Sequence, residues 1–327
     1  MVHSFLLKTA ALVSSTMLAS TLCASSPGAA NELVTVMHPS GATAKVSLLG
    51  AQVLSYTTTS QPDVNVLFVS QSPTNGANPV RGGISVNFPI VESVDSFTGP
   101  EHGFARTSMW TLESLEQPRP DHGVDYTSAT FILTWTEATF QIWPEKFELR
   151  YKVNVSADRL LTKLTVSNLG SAAFYVGVLL TSYLSVPDVL NDGVVVRGLQ
   201  GLEYYDRVTR TNQTDSREMF GITSQVDSAY KDVGLDVVAS VKGVGFVQDV
   251  AVRQFAQYGN GNHRPISDPS SCVVWNPWTE GAKAGLGVEE YRKMLAIGCG
   301  KVTEKFVQST DVRYTVSSEI TVTTRSA

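Results

Sequence analysis

The sequence predicts an all-β protein built as one large antiparallel β-sandwich or barrel. From Glu32 to the C-terminus, short segments either alternate apolar and polar residues or are rich in β-branched and aromatic side chains. Turn signals separate these segments at close spacing. No apolar stripe recurs at i, i+3, i+4 outside the N-terminal segment. The 327 residues would ordinarily suggest two domains, yet sandwiches and barrels run past roughly 200 residues as one unit. No linker, repeat or charge block interrupts the chain after residue 32, so residues 32–327 are expected to form a single domain.

Residues 33–37 begin the series of strands, and Pro39-Ser40-Gly41 turns the chain toward 46–49 and 53–56. A turn is expected at Asn75-Gly76 and another at Pro118-Arg119-Pro120, ahead of a strand over 129–135. The plainest strand is 147–155. There Phe147, Leu149, Tyr151, Val153 and Val155 alternate with Glu148, Arg150, Lys152 and Asn154, giving one dry and one wet face. Further strands are expected over 162–167, over 194–196 after Asn191-Asp192-Gly193, and over 313–317 and 319–324 after Gly259-Asn260-Gly261.

The N-terminus has a different character. A weakly basic start (His3, Lys8) leads into an apolar run over 10–22 and then into small residues. That is the layout of a secretory leader over 1–24, cleaved between 24 and 30. The run is too short and too rich in Ser and Thr for stable membrane insertion. Asn154-Val155-Ser156 and Asn212-Gln213-Thr214 are acceptor sequons for N-glycosylation and fit a secreted, extracellular product. Cys23 would leave with the leader. Cys272 and Cys299 would then either pair in an oxidising compartment or remain as buried thiols, and their spacing leaves both open. A net charge of −5 gives no basic footprint for nucleic acid or an anionic membrane surface.

Common catalytic motifs are missing. The chain has no GxxxxGK, no GxGxxG between strand and helix, no HExxH, no CxxC and no GxSxG elbow. His38, His102, His122 and His263 are scattered, so no metal site is expected. What remains is a set of polar stretches interleaved with aromatic residues. They are Arg81-Gly82-Gly83-Ile84 with Phe88-Pro89, the run PEHGFARTSMW over 100–110, Tyr204-Tyr205-Asp206-Arg207, and Trp275-Asn276-Pro277-Trp278. Arg, Asn and Asp beside Trp or Tyr suit a sugar, because polar groups hold hydroxyls or a phosphate while rings cover the apolar face. Each stretch also has a structural alternative: arginines paired with surface carboxylates, tryptophans filling the core, Asp206 capping a turn.

Taken together, RGGISVNFP, PEHGFARTSMW, FYVGVLLTSYLSVPDV, GLEYYDRV and VVWNPW…YRKML resemble the hexose-6-phosphate mutarotases, the glucose-6-phosphate 1-epimerase branch of the aldose 1-epimerase superfamily. The likeness covers nearly everything from Leu33 onward. It implies the large antiparallel sandwich of the galactose mutarotase type. It also implies interconversion of the α and β anomers of a hexose or hexose phosphate, with no cofactor. A base removes the anomeric hydroxyl proton, an acid protonates the ring oxygen, and the ring opens, rotates and recloses. Each proton transfer is worth roughly 10²–10⁴-fold when well placed.

The resemblance assigns Arg81, Arg106 and Asp206 to substrate binding, with Glu101 standing where the family has Gln and His102 beside it. A carboxylate at 101 loses the amide's donors and adds a charge that repels a sugar phosphate. The family's acid His is replaced by Thr181, and its base Glu by Gly298. The implied protein is therefore a secreted family member that keeps a sugar or sugar-phosphate cleft without efficient catalysis. One alternative is an active epimerase using other groups, His102 first, with Glu280, Glu289 and Glu290 as further carboxylates. Another is a protein-interaction module on the same scaffold.

Overall fold

The computed structural model describes residues 32–72, 80–92, 97–190, 192–234, 236–243, 246–259, 266–268, 270–307 and 313–326. The leader with Cys23, the Asn75-Gly76 turn, His263, Asn191 and residues 260–261 lie outside the described residues.

In chain order the strands are β1 (Leu33–Met37), β2 (Thr43–Ser47), β3 (Val53–Thr57), β4 (Ile84–Asn87), β5 (Thr111–Glu116), β6 (Thr127–Thr134), β7 (Phe147–Val155), β8 (Arg159–Asn168), β9 (Phe174–Ser185) and β10 (Val194–Arg197). They continue as β11 (Glu203–Asp206), β12 (Thr211–Thr214), β13 (Met219–Gly221), β14 (Val226–Val233), β15 (Val237–Lys242), β16 (Phe246–Gly259), β17 (Ile266–Asp268), β18 (Ser270–Asn276), β19 (Met294–Val307) and β20 (Arg313–Ser326). The first sheet runs β1-β2-β3-β4-β9-β19-β18-β14-β11-β12. The second runs β13-β10-β15-β16-β20-β8-β7-β6-β5, with β17 on β16. Neighbouring strands are antiparallel throughout.

The sheets pack face to face over one apolar core. Phe131, Phe147, Tyr151, Leu164 and Tyr314 of the second sheet are fully buried there, as are Tyr56, Val86, Leu180 and Ile297 of the first. On β7 the alternation expected from the sequence holds residue by residue: the five apolar positions are buried and the polar ones at least partly exposed. Burying side chains of this size is worth about 1.5–3 kcal/mol each, and this drives the stacking. The runs over 313–317 and 319–324 are one strand, β20, because Ser318 pairs with Thr162 and Gln254 without a break.

A short helix, α1 (Glu137–Ile142), was not visible in the sequence. Six residues are too few for an apolar stripe. It is set by a cap, in which the Thr139 amide donates to Thr136 Oγ1 at 3.2 Å and the Thr136 amide to Thr139 Oγ1 at 2.8 Å. No helix among the described residues is long and apolar enough to cross a membrane.

Candidate functional site

A cavity of about 850 Å³ opens on the outer face of the first sheet. Strand alternation explains its floor. Leu179, Thr181 and Tyr183 point into it from β9, Ala296 and Gly298 from β19, Val273 and Trp275 from β18, and Ser85 and Asn87 from β4. The residues between them, such as Leu180, Ile297, Cys299 and Val274, face the core. Cross-strand register arranges the floor in rows. One row reads Ser85, Thr181, Gly298, Val273 across four strands. The next reads Tyr183, Ala296, Trp275, Asp227.

Thr181 and Gly298 are therefore directly opposed neighbours. A Cβ built on Gly298 would lie 2.7 Å from Thr181 Oγ1 and 3.2 Å from its Cβ. Beside them Trp275 meets Tyr183 edge to face, with ring centroids 6.1 Å apart. Trp278 belongs instead to the packed interior, against Tyr291 at 5.3 Å. On the core side of the same floor Cys272 and Cys299, register partners on β18 and β19, form a buried disulfide.

Two loops carry the cationic wall. Arg81 precedes Gly82 and Gly83, whose positive φ lets the chain pass against neighbouring backbone. A Cβ on Gly83 would sit 2.1 Å from the Val53 carbonyl. Gln52 Nε2 fixes the turn by donating to the Val80 and Gly82 carbonyls, both at 2.7 Å. In the second loop, His102 and Gly103 both have positive φ (63° and 78°), and a Cβ on Gly103 would lie 2.0 Å from the Phe88 carbonyl. A histidine in the left-handed region costs of order 1–2 kcal/mol, which the surroundings must offset. Arg106 follows on a 3-10 turn tied to the fold by the Trp110 Nε1 donor on the Ala105 carbonyl, at 2.9 Å.

Among the described residues neither Arg81 nor Arg106 makes an ion pair, and the buried Arg106 Nε has no hydrogen-bond partner. Burial and the adjacent Arg81 lower the Arg106 pKa. Arg207, by contrast, is held between Asp227 (2.9 Å) and Glu92, and Lys283 pairs with Glu280. The cavity thus has one region where two arginines stand together without an ion pair among the described residues, with Glu101 as the nearby carboxylate.

His102 Nδ1 sits 2.7 Å from the Val91 carbonyl, so that nitrogen carries the proton and Nε2 is left facing Glu101 Oε1 at 3.6 Å. Burial lowers the His102 pKa despite Val91 and Glu101, so the ring is neutral at neutral pH. Burial raises the Asp227 pKa, against the Arg207 hydrogen bond.

Of the residues singled out from sequence, Arg81, Glu101, His102, Arg106, Thr181 and Gly298 converge on this cavity. Asp206 does not line it: its carboxylate accepts from the Val208 and Thr209 amides and caps the β11–β12 turn. Glu280 lines the cavity, whereas Glu290 is held by Ser70, Gln71 and Gly287 and Glu289 lies beside Arg292. The wall expected from Asp206 is formed instead by Arg207, the last residue of the same stretch, with Asp227 and Glu92. Alternation held the signal, since with Tyr205 facing out, Arg207 follows it and Asp206 turns away.

The aldose 1-epimerase family model matches residues 32–311, and the chain belongs to that family. Two curated relatives bear the name of a glucose-6-phosphate 1-epimerase. A protein of Cenchrus ciliaris named "Putative glucose-6-phosphate 1-epimerase" is 27% identical over 261 residues, covering 78% of this chain and 73% of its own length. A protein of Escherichia coli K12 with the same name is 26% identical over 246 residues, covering 75% and 74%. Among solved structures, a "putative mutarotase" of Salmonella typhimurium superposes with a TM-score of 0.72 at 22% identity, over 90% of each chain. The aldose epimerase homologue of C. elegans gives 0.60 at 10% identity, over 90% of this chain and 99% of its own. Both share the galactose mutarotase-like sandwich.

Proposed function

We propose that this chain is a secreted member of the hexose-6-phosphate mutarotase branch that binds a sugar or sugar phosphate and has lost efficient anomer exchange. The observation that carries the reading is the Thr181–Gly298 pair. The two positions where the family resemblance puts acid and base are opposed on β9 and β19 at the centre of the cavity floor. A threonine hydroxyl does not ionise near neutral pH and glycine has no side chain, so neither relays a proton there. The parts that would hold a ligand remain: Arg81 and Arg106, without an ion pair among the described residues, the Trp275–Tyr183 corner and the polar Asn87 and Asp227. Arginine forks grip an anionic group on the sugar while the indole covers its apolar face. Glu101 reduces the net positive charge at the arginine end, which favours a neutral or singly charged sugar over a phosphate dianion.

Binding is tested by titrating the mature protein with glucose, galactose, glucose 6-phosphate and glucuronate and following tryptophan fluorescence and ligand-observed NMR. Saturable binding that Arg106→Ala weakens at least tenfold supports the reading. Insensitivity to every sugar ends it.

A second reading, residual epimerase activity, draws on His102. Its unprotonated Nε2 lies in the cavity beside Glu101, and Asp227 and Glu280 share the same walls. Under this reading His102→Gln abolishes exchange above the buffer rate, an effect absent if the protein only binds.

A further inference from the structure

We propose that Asn212 carries an N-linked glycan at the rim of the cavity and that the second sequon, at Asn154, stays unmodified. The inference rests on the secreted reading above. The two sequons sit in opposite environments. Asn212 lies on β12, the last strand of the first sheet, which among the described residues pairs only with β11 and whose four residues are all exposed. Among the described residues its carboxamide has no hydrogen-bond partner, and the sequon threonine, Thr214, is exposed beside it. Asn154 lies on β7, with β6 on one side and β8 on the other. Its Oδ1 accepts from Ser128 Oγ at 2.7 Å, its side chain is half-buried, and Ser128 is 3% exposed. An oligosaccharide on that nitrogen would have to grow from a half-buried carboxamide already bonded to Ser128, whereas on Asn212 it extends into solvent.

Register decides where the glycan stands. Asn212 pairs with Tyr205, so the two side chains share a face, and Tyr205 lines the cavity. The alternate pair, Tyr204 and Gln213, joins on the other face, where Tyr204 stacks on Tyr230. The glycan root is therefore on the cavity side of the strand, at its mouth. There it also answers a liability. Thr211-Asn212-Gln213-Thr214 is an open edge with no proline and no charge, and unguarded edges of that kind recruit strands from other chains. A bulky hydrophilic group on this strand blocks such pairing.

The test is expression of the full chain with its own leader in a eukaryotic secretory host. The product in the medium is treated with peptide N-glycosidase in ¹⁸O water and the peptides are analysed by mass spectrometry. The proposal expects ¹⁸O-labelled Asp at 212, unmodified Asn at 154, and loss of the gel shift in Thr214→Ala. Protein in the medium with Asn212 unoccupied, or with Asn154 occupied as well, overturns the proposal and leaves secretion standing. Protein retained unglycosylated inside the cells overturns both.

Discussion

Gly298 is more than an empty position, and one substitution shows why. Directly opposed residues of an antiparallel pair usually keep their Cβ atoms about 4.5–5.5 Å apart. At the Thr181–Gly298 pair an added Cβ would be 3.2 Å from Thr181 Cβ, 3.2 Å from Cγ2 and 2.7 Å from Oγ1. β9 and β19 have closed on the glycine further than two side chains permit. Gly298→Ala must then spread the strands or force Thr181 off its rotamer, and rotating the stiff β-branched side chain leaves the Cβ contact unrelieved. Overpacking of this kind costs about 1–3 kcal/mol, or roughly 1.5–2 °C of Tm per kcal/mol at this domain size. Thr181→Ala removes the two γ atoms and leaves only the 3.2 Å contact, so Gly298→Ala should cost markedly less in that background. Equilibrium denaturation of the four proteins in the cycle should give a coupling of about 1–2 kcal/mol. Additivity within about 0.5 kcal/mol would refute the close approach and with it the view that the two positions share one spot on the sheet.

Other consequences are independent of that pair. Arg106 is largely buried with an unbonded Nε, so Arg106→Met should raise the Tm of the ligand-free protein by a few degrees while abolishing anion-dependent binding; a fall in Tm would show that the guanidinium has a structural partner. The disulfide closes a loop of 27 residues, for which the chain-entropy model gives about 3.5 kcal/mol; Cys272→Ser/Cys299→Ser should lose much of that in urea, and an unchanged midpoint would contradict it. His102 is held below its ordinary value of 6.5 by burial. In the window below 6.5 the unfolded chain binds a proton the folded one refuses, so the stability present above pH 6.5 declines as pH falls through the folded pKa. NMR titration of His102 should place its midpoint below 6.5, and a midpoint at or above that value would contradict the burial argument.

The fold was legible because β-sheet alternation is local: β7 carried its dry and wet faces in the sequence, and the structure keeps them. The joining of 313–317 and 319–324 into β20 was not legible, because continuity there comes from pairing with β8 and β16. The short α1 was hidden for the opposite reason, since a two-threonine cap leaves no periodic trace. At the cavity, Arg81 and Arg106 stood out through the glycine-rich text around them. The pairing of Arg207 with Asp227 did not, because it joins residues twenty positions apart, one in the turn after β11 and one on β14. Asp206 drew attention as the acid in YYDRV, yet strand geometry sends it to a turn. The disulfide was one of two open readings, and what closes it is the register that sets Cys272 opposite Cys299.

The most direct measurement is anomer exchange of α-glucose 6-phosphate and of α-glucose, followed by NMR with the purified mature protein and with Thr181→His/Gly298→Glu alongside. The account predicts exchange at the buffer rate for the natural sequence and a gain in the double variant, limited by how far β9 and β19 can spread to admit both side chains. Exchange well above the buffer rate in the natural sequence, lost on His102→Gln, would contradict it and establish an active epimerase working from the opposite wall of the same cavity.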